Sequence, residues 1–114
     1  MAGPLFENFV IQEIVKLYYN KGKRPNIYYM RTHNQLEIDL IVERNFEIYP
    51  IEIKLSKTLN TAMAKPMERF RKLFTGLKIN TGVIVSLAEE KIPITKNVTS
   101  LSVESLLEML KNII

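Results

Sequence analysis

Two short acidic segments hold the residues of this sequence best suited to chemistry: Glu-Ile-Asp at 37–39 and Glu-Ile-Lys at 52–54. In an extended strand, side chains two positions apart leave the same face, about 7 Å from each other. Glu52 and Lys54 therefore share a face. Asp39 belongs to the preceding strand-like segment, and a hairpin between the two segments can bring it beside Glu52. The spacing predicts a carboxylate pair with an adjacent ammonium group.

This combination of groups suits metal-assisted phosphodiester hydrolysis. Adjacent carboxylates repel each other at neutral pH, and a fold can neutralise them with a cation. Hard oxygen ligands favour Mg²⁺ or Mn²⁺. Lys54 could position a water or stabilise a negatively charged pentacovalent phosphate. Such a site needs no serine or cysteine nucleophile, and the single histidine, His33, excludes a mechanism based on a histidine pair within one chain.

Each segment taken alone also has a purely structural interpretation. A Glu-x-Lys sequence in an alternating strand is usually a solvated face with a weak cross-strand ion pair. Two acidic segments on successive strands, spaced for a hairpin and surrounded by apolar residues, favour a site. Glu7 lies near the start of an amphipathic helix, where it could interact with the helix dipole or serve as a metal ligand.

Composition limits the classes of protein that fit. Sixteen Lys and Arg against twelve Asp and Glu give a net charge of +4, which favours polyanionic partners, although many basic proteins bind no nucleic acid. The absence of cysteine excludes disulfides and cysteine-based zinc or thiol chemistry. Apolar runs are too short to span a bilayer, and Glu7 and Glu13 interrupt any signal peptide. We expect a soluble, cytoplasmic protein without a membrane partner.

The elements that position these residues follow from hydrophobic periodicity. The patterns predict helices at 5–19, about 62–75 and 103–112, strands at 27–31, 36–43, 47–55 and 81–87, and short edge strands at 92–95 and 98–101. Strict alternation over 36–43 predicts that Leu36, Ile38, Leu40 and Val42 face one way and Glu37, Asp39, Ile41 and Glu43 the other. Pro50 predicts an edge or a bulge. With no linker or repeat, we expect residues 1–114 to form a single α/β domain, a central mixed sheet flanked by helices.

Glu7, Asp39, Glu52 and Lys54 resemble the four signature positions of the PD-(D/E)XK nuclease superfamily, which includes restriction endonucleases and archaeal Holliday-junction resolvases. The sequence resembles more closely the uncharacterised nuclease-like domain at the C-terminus of many bacterial and archaeal AAA-type ATPases. Three stretches carry this similarity: residues 3–7 with the helix behind them, 29–32 followed by 37–41, and 50–54. Ile38 stands where a proline often precedes the aspartate.

The resemblance implies a restriction-endonuclease-like fold, with Glu7, Asp39 and Glu52 as ligands of Mg²⁺ or Mn²⁺ and Lys54 as a fourth catalytic residue. It also implies an ATPase domain as a partner. The four glycines are scattered and form no phosphate-binding loop, so we expect any ATPase to lie on a longer parent protein or another chain. We also expect that this chain is a domain excised from such a parent.

Several basic and aromatic residues could contact DNA. Arg31 could grip a phosphate or pair with Glu37 across the turn. The candidate phosphate track consists of Lys57, Lys65, Arg69 and Lys72, which could equally be only a solvated helix face. Bases could stack on Tyr18, Tyr19, Tyr28 or Tyr29, although packing would also explain these tyrosines.

The sequence leaves three functions open. The first is a divalent-metal-dependent nuclease that hydrolyses DNA phosphodiester bonds. The second is a catalytically inactive module on the same fold that binds nucleic acid or a protein partner beside an ATPase domain. The third is an interaction or oligomerisation domain. Since all three share one fold, only the site can discriminate among them.

Overall fold

The computed structural model describes residues 2–114, in which a mixed seven-stranded sheet is flanked by three α-helices. The elements in chain order are α1 (Ala2–Asn20), β1 (Ile27–Arg31), β2 (Glu37–Arg44), β3 (Glu47–Ile53), a 3-10 helix (Thr61–Ala64), α2 (Lys65–Leu73), β4 (Lys78–Ile79), β5 (Gly82–Val85), β6 (Ile92–Thr95), β7 (Val98–Leu101) and α3 (Val103–Ile113). The strand order is β1-β2-β3-β5-β7-β6, with β4 paired to β3. The predicted α/β class with a central mixed sheet is confirmed.

Local signals mark the ends of the helices, which lie within a few residues of their predicted bounds. Gly22 adopts a φ of 66° after α1, and the Lys23 N–H donates to the Tyr18 carbonyl at 2.9 Å, which closes the helix with a left-handed residue. Pro66 lies in the first turn of α2, where no intrahelical donor is lost. The Ser102 hydroxyl accepts from the Ser105 N–H at 3.1 Å and caps α3.

The sheet combines an antiparallel half with a parallel half. Strands β1, β2 and β3 are antiparallel neighbours, and β3, β5 and β7 run parallel. All four residues of β5 are buried, as the continuous apolar run predicts. The prediction that β7 is an edge strand is wrong, because β7 lies between β5 and β6. The two-residue strand β4 has too little pattern to be predicted.

Pro50 lies in neither of the places that the sequence predicts. It is buried in the middle of β3 and pairs with Ile41 of β2. On its other side, β3 pairs with β4 through residues 47–48 and with β5 through residues 51–53. Pro50 therefore falls where the parallel pairing passes from β4 to β5, a position that tolerates a residue without an N–H donor.

The hydrophobic core consists of two layers. One layer packs α1 and α3 against one face of the sheet, with Val10, Ile14, Leu106 and Leu110 fully buried. The other packs α2 against the opposite face through Met67 and Phe70, with Met63 and Phe74 beside them, as the apolar stripe predicts. The three- and four-residue spacing of apolar residues in α1 predicts that Phe9 faces inward with Val10 and Ile14, but Phe9 is 52% exposed. Within residues 2–114, no helix combines the length and apolar character that crossing a bilayer requires.

Strand β2 does not alternate strictly. Tyr28 of β1 pairs with Ile41, whereas Met30 pairs with Ile38, so two steps on β1 oppose three on β2. The extra residue is a β-bulge, which reverses the faces on either side of it. Leu36, Ile38 and Ile41 consequently pack in the α2 layer, whereas Leu40 and Val42 pack in the α1 and α3 layer. The predicted single face for Leu36, Ile38, Leu40 and Val42 is therefore wrong, and the irregularity lies at Asp39.

Candidate functional site

The predicted hairpin between the two acidic segments is present, and the site lies where its strands separate. The last regular pair between β2 and β3 is Leu40 with Ile51. One step further, Asp39 comes opposite Glu52, but the backbones no longer pair. Instead, the Asp39 carboxylate (Oδ2) accepts a hydrogen bond of 2.8 Å from the Ile53 N–H. A side chain thus takes the place of a backbone acceptor and is fixed between the strands.

On the side away from β2, β3 stays paired in the sheet beyond Ile51. Ile53 pairs with Val85 of β5, and the Lys54 N–H donates to the Val85 carbonyl at 2.9 Å. Since β3 stays paired with β5 where its pairing with β2 ends, residues 52 and 53 keep a paired strand on one side only. The bulge in β2 and the parallel pairing with β5 together position Asp39, Glu52 and Lys54.

Glu52 is the buried member of the group. Its side chain is almost inaccessible, with 3% of the residue exposed, and Oε1 makes no hydrogen bond within residues 2–114. Burial raises the pKa of Glu52 to about 8, and the negative charge of Asp39 acts in the same direction, whereas Lys54 opposes it. A buried carboxyl oxygen without a partner is costly in a native protein.

Glu7 approaches the same group from α1. Partial burial raises the pKa of Glu7, the charge of Asp39 raises it further, and Lys54 lowers it. Asp39 and Lys54 therefore influence both Glu7 and Glu52. The four residues that the sequence predicts as a site converge from the first helix, from β2 and from the end of β3.

A pocket of about 420 Å³ opens on the α1 side of Asp39. Its lining residues are Glu7, Ile11, Tyr29, Arg31, Glu37, Ile38 and Asp39. A second pocket, of about 210 Å³, lies near the end of α3 and contains none of the four predicted site residues. The larger pocket therefore adjoins the carboxylates, with Asp39 at the boundary between the pocket and the buried Glu52.

Of the two roles considered for Arg31, the structure shows the ion pair. Its Nε donates to the Glu37 carboxylate at 2.7 Å, and the two side chains are 66% and 53% exposed. Exposed pairs of this kind contribute roughly 0–1 kcal/mol. Arg31 is therefore held at the rim of the pocket by a bond that a ligand could replace.

The other candidate DNA-binding residues lie outside the lining of this pocket. Lys57, Lys65, Arg69 and Lys72 are exposed, and none of them lines the pocket. The Arg69 guanidinium donates to the Asn34 carbonyl at 3.3 Å. Helix α2 packs on the sheet face opposite α1. Of its basic residues, Arg69 reaches the turn that joins Arg31 to Glu37 at the rim of the pocket.

Sequence reasoning missed part of the pocket lining. Tyr29 could not be distinguished from the other tyrosines, and Ile11 and Ile38 carry no chemical signal. One available signal was the spacing of Tyr29 and Arg31, which are two positions apart on β1 and share a face. What this face packs against also depends on the bulge in β2 opposite Tyr29, and no pattern in the sequence indicates that bulge.

A divalent cation fits the chemistry of the carboxylate pair. Within residues 2–114, no three His, Cys, Asp or Glu side chains are placed to hold a metal ion together, so Glu7, Asp39 and Glu52 do not form the three-ligand set that the resemblance implies. Mg²⁺, however, is commonly held by only one or two carboxylates and keeps several waters. Asp39 and Glu52 would supply those two carboxylates, and the unpartnered Oε1 of Glu52 is the oxygen that gains most from a cation.

The fold and site define an α/β domain whose mixed sheet carries a buried glutamate, a backbone-anchored aspartate and an adjacent lysine. The chain belongs to the family described as "Domain of unknown function (DUF4143)", whose model matches residues 2–106. The match includes all four residues of the site. A comparison with curated proteins finds no match.

Proposed function

We propose that this chain is a divalent-metal-dependent nuclease domain that hydrolyses DNA phosphodiester bonds. The observation that carries the proposal is the buried Glu52 carboxyl group, which has an unpartnered oxygen beside Asp39 and Lys54. A purely structural carboxylate at this position would be expected to face solvent or to have all its acceptors satisfied.

The pKa of Glu52 supports a cation-dependent role. Burial and the nearby charge of Asp39 raise that pKa to about 8, so the metal-free group holds a proton at neutral pH. A divalent cation would displace the proton, because metal ligands bind in their deprotonated forms. Lys54 opposes the rise in pKa and makes the ionised state more accessible.

Each residue has a distinct role in this proposal. Asp39 and Glu52 would hold the cation, with Asp39 oriented by the Ile53 N–H, and Glu7 would add negative charge from α1. When bound, the cation supplies charge to the phosphate oxygens and acidifies water. Lys54 would stabilise the negative charge that develops on the phosphate. Hydrolysis adds the oxygen of water to phosphorus and breaks one P–O ester bond, which leaves one phosphomonoester end and one hydroxyl end.

Metal binding is the first test. Calorimetric titration of the wild type with Mn²⁺ should show binding at one site, and Asp39→Ala should abolish it. Glu108→Gln, which removes an exposed carboxylate from α3, is the matched control and should bind as the wild type does. Absence of Mn²⁺ and Mg²⁺ binding to the wild type would overturn the active-enzyme proposal.

DNA cleavage is the second test. Wild type incubated with Mn²⁺ should cut labelled DNA, whereas Lys54→Ala should lose activity and retain metal binding.

The competing proposal is an inactive module that binds nucleic acid or a protein beside an ATPase domain. It is favoured by the exposed basic residues of α2, which do not line the pocket next to the carboxylates. It requires salt-dependent DNA binding without cleavage, unchanged in Lys54→Ala. Failure to bind any nucleic acid at low salt would favour an interaction domain.

A further inference from the structure

We propose that the 420 Å³ pocket next to Asp39 is a nucleobase subsite in which Tyr29 stacks on an unpaired base, so that the substrate is single-stranded or locally unpaired DNA. The subsite presupposes the metal-dependent nuclease activity proposed above and narrows its substrate class.

Tyr29 has the exposure and position that stacking requires. It is 72% exposed, although a large aromatic side chain usually buries much of its surface. Its strand, β1, lies at the edge of the sheet. Glu7 and Asp39 line the same pocket, and a group stacked on Tyr29 therefore lies close to the carboxylates.

The remainder of the pocket suits one nucleotide. Its volume of about 420 Å³ falls within the range of small-molecule sites, roughly 300–1,000 Å³. Ile11 on α1 and the ring of Tyr29 supply apolar surface, and Asp39 supplies a polar end. A nucleotide has the same division, with a flat base at one end and a phosphate at the other. The base would lie against Tyr29, and its phosphate would lie towards Asp39 and Glu52.

Stacking on Tyr29 requires a base that is free of its neighbours. In a duplex, each base is paired and covered on both faces, so an aromatic side chain can reach it only if the base is flipped out. In single-stranded DNA, the faces of the bases are accessible, and stacking is tolerant of sequence. The geometry therefore predicts a preference for unpaired DNA with little base specificity.

The charge of the pocket predicts a second property of the subsite, a dependence of DNA binding on divalent cations. Three acidic residues, Glu7, Glu37 and Asp39, line it together with one basic residue, Arg31. An anionic pocket repels a phosphodiester unless a cation is present. Binding through this pocket should therefore require a divalent cation, whereas binding through the exposed basic residues of α2 should not.

Fluorescence anisotropy with a labelled oligothymidylate, compared with a duplex of the same length, tests the subsite. Ca²⁺ replaces Mn²⁺ during binding, and a gel of the same samples shows whether the probe stays intact. Wild type should bind the single strand at least tenfold more tightly than the duplex and should lose this preference in EDTA. Tyr29→Ala should weaken single-strand binding roughly 5- to 100-fold, because stacking on one aromatic side chain contributes about 1–3 kcal/mol per base.

Two further variants identify the cause of any loss. Tyr29→Phe keeps the aromatic ring and should bind as the wild type does. Tyr19→Ala removes a tyrosine that is 64% exposed on α1 and does not line the pocket, and it should have no effect. Circular dichroism should show that all three variants fold, since both tyrosines are largely exposed.

The outcomes separate the subsite from the nuclease proposal. If wild type cleaves DNA and Tyr29→Ala binds the single strand equally well, the subsite is overturned and the nuclease proposal stands. Equal losses in Tyr29→Phe and Tyr29→Ala would also overturn stacking. If wild type binds Mn²⁺ but neither binds nor cleaves DNA, both proposals are overturned.

Discussion

The Asp39 carboxylate accepts a hydrogen bond of 2.8 Å from the backbone N–H of Ile53 at the point where β2 and β3 separate. This bond ties Asp39 to the end of the strand that carries Glu52, one residue before Lys54. It gives Asp39 two roles, since the same side chain satisfies a backbone donor and contributes to the carboxylate pair.

The two roles of Asp39 can be separated by substitution. Asp39→Asn retains an oxygen acceptor for the Ile53 N–H and removes the charge that faces Glu52. At pH 9, above the raised pKa of Glu52 of about 8, both carboxylates of the wild type are ionised, so we expect the metal-free variant to be at least as thermally stable as the wild type at that pH. Asp39→Ala leaves the N–H without its partner and should cost about 1–3 kcal/mol relative to Asp39→Asn. Thermal melts in EDTA at that pH compare the stabilities, and both variants should bind Mn²⁺ at least tenfold more weakly. A less stable Asp39→Asn at that pH would contradict repulsion between the two carboxylates.

Glu52 should make the metal-free protein less stable as pH rises. Burial, with the charge of Asp39, raises its folded-state pKa to about 8 from an ordinary 4.5. The folded state therefore retains a proton that the unfolded chain releases between these two values. The contribution of Glu52 is fully present below about pH 4.5 and is lost as pH rises to about 8, a change on the order of a few kcal/mol.

Urea denaturation in EDTA at several pH values measures this dependence. Glu52→Gln cannot ionise and should show a smaller fall in stability between pH 5 and pH 8, whereas the exposed control Glu108→Gln should follow the wild type. Identical pH profiles for Glu52→Gln and wild type would show that the pKa of Glu52 is not raised.

Mn²⁺ affinity should increase with pH over the same interval. Because the cation must displace the proton of Glu52, the association constant should rise by up to about tenfold per pH unit below pH 8. Calorimetry at pH 7 in buffers of different ionisation enthalpy should reveal release of close to one proton per Mn²⁺ bound. Binding without proton release would place the metal away from Glu52.

Glu37→Gln should strengthen binding of single-stranded DNA. The substitution removes one negative charge from the pocket lining and releases Arg31 from its ion pair. Since an exposed ion pair contributes roughly 0–1 kcal/mol, the gain should be about two- to fivefold. The matched control is Glu13→Gln, which breaks the exposed pair with Lys16 on α1, outside the pocket lining. Weaker binding by Glu37→Gln than by the control would indicate that Glu37 contacts DNA directly.

Much of the fold could be predicted because its signals are local. The cap at Ser102, the left-handed Gly22 and the proline in the first turn of α2 each depend on residues within a few positions. The buried strand β5 is evident from its uninterrupted apolar run. Strand β4 and the interior position of β7 were not predictable, because both depend on pairing between distant segments.

The features of the candidate site likewise fall into two groups, those that follow from residue spacing and those that depend on tertiary structure. The sequence by itself determined that a hairpin could bring Asp39 to Glu52, and residue spacing predicts that Glu52 and Lys54 share a face. Strand β3 ends at Ile53, however, two residues before the predicted end and one residue before Lys54. Only the tertiary structure decided that β2 bulges and leaves β3 at Asp39, that Glu52 is buried with a raised pKa, and that Tyr29 is the tyrosine beside the carboxylates. These features depend on register and packing between segments far apart in the chain, and the residue pattern within each segment does not record them.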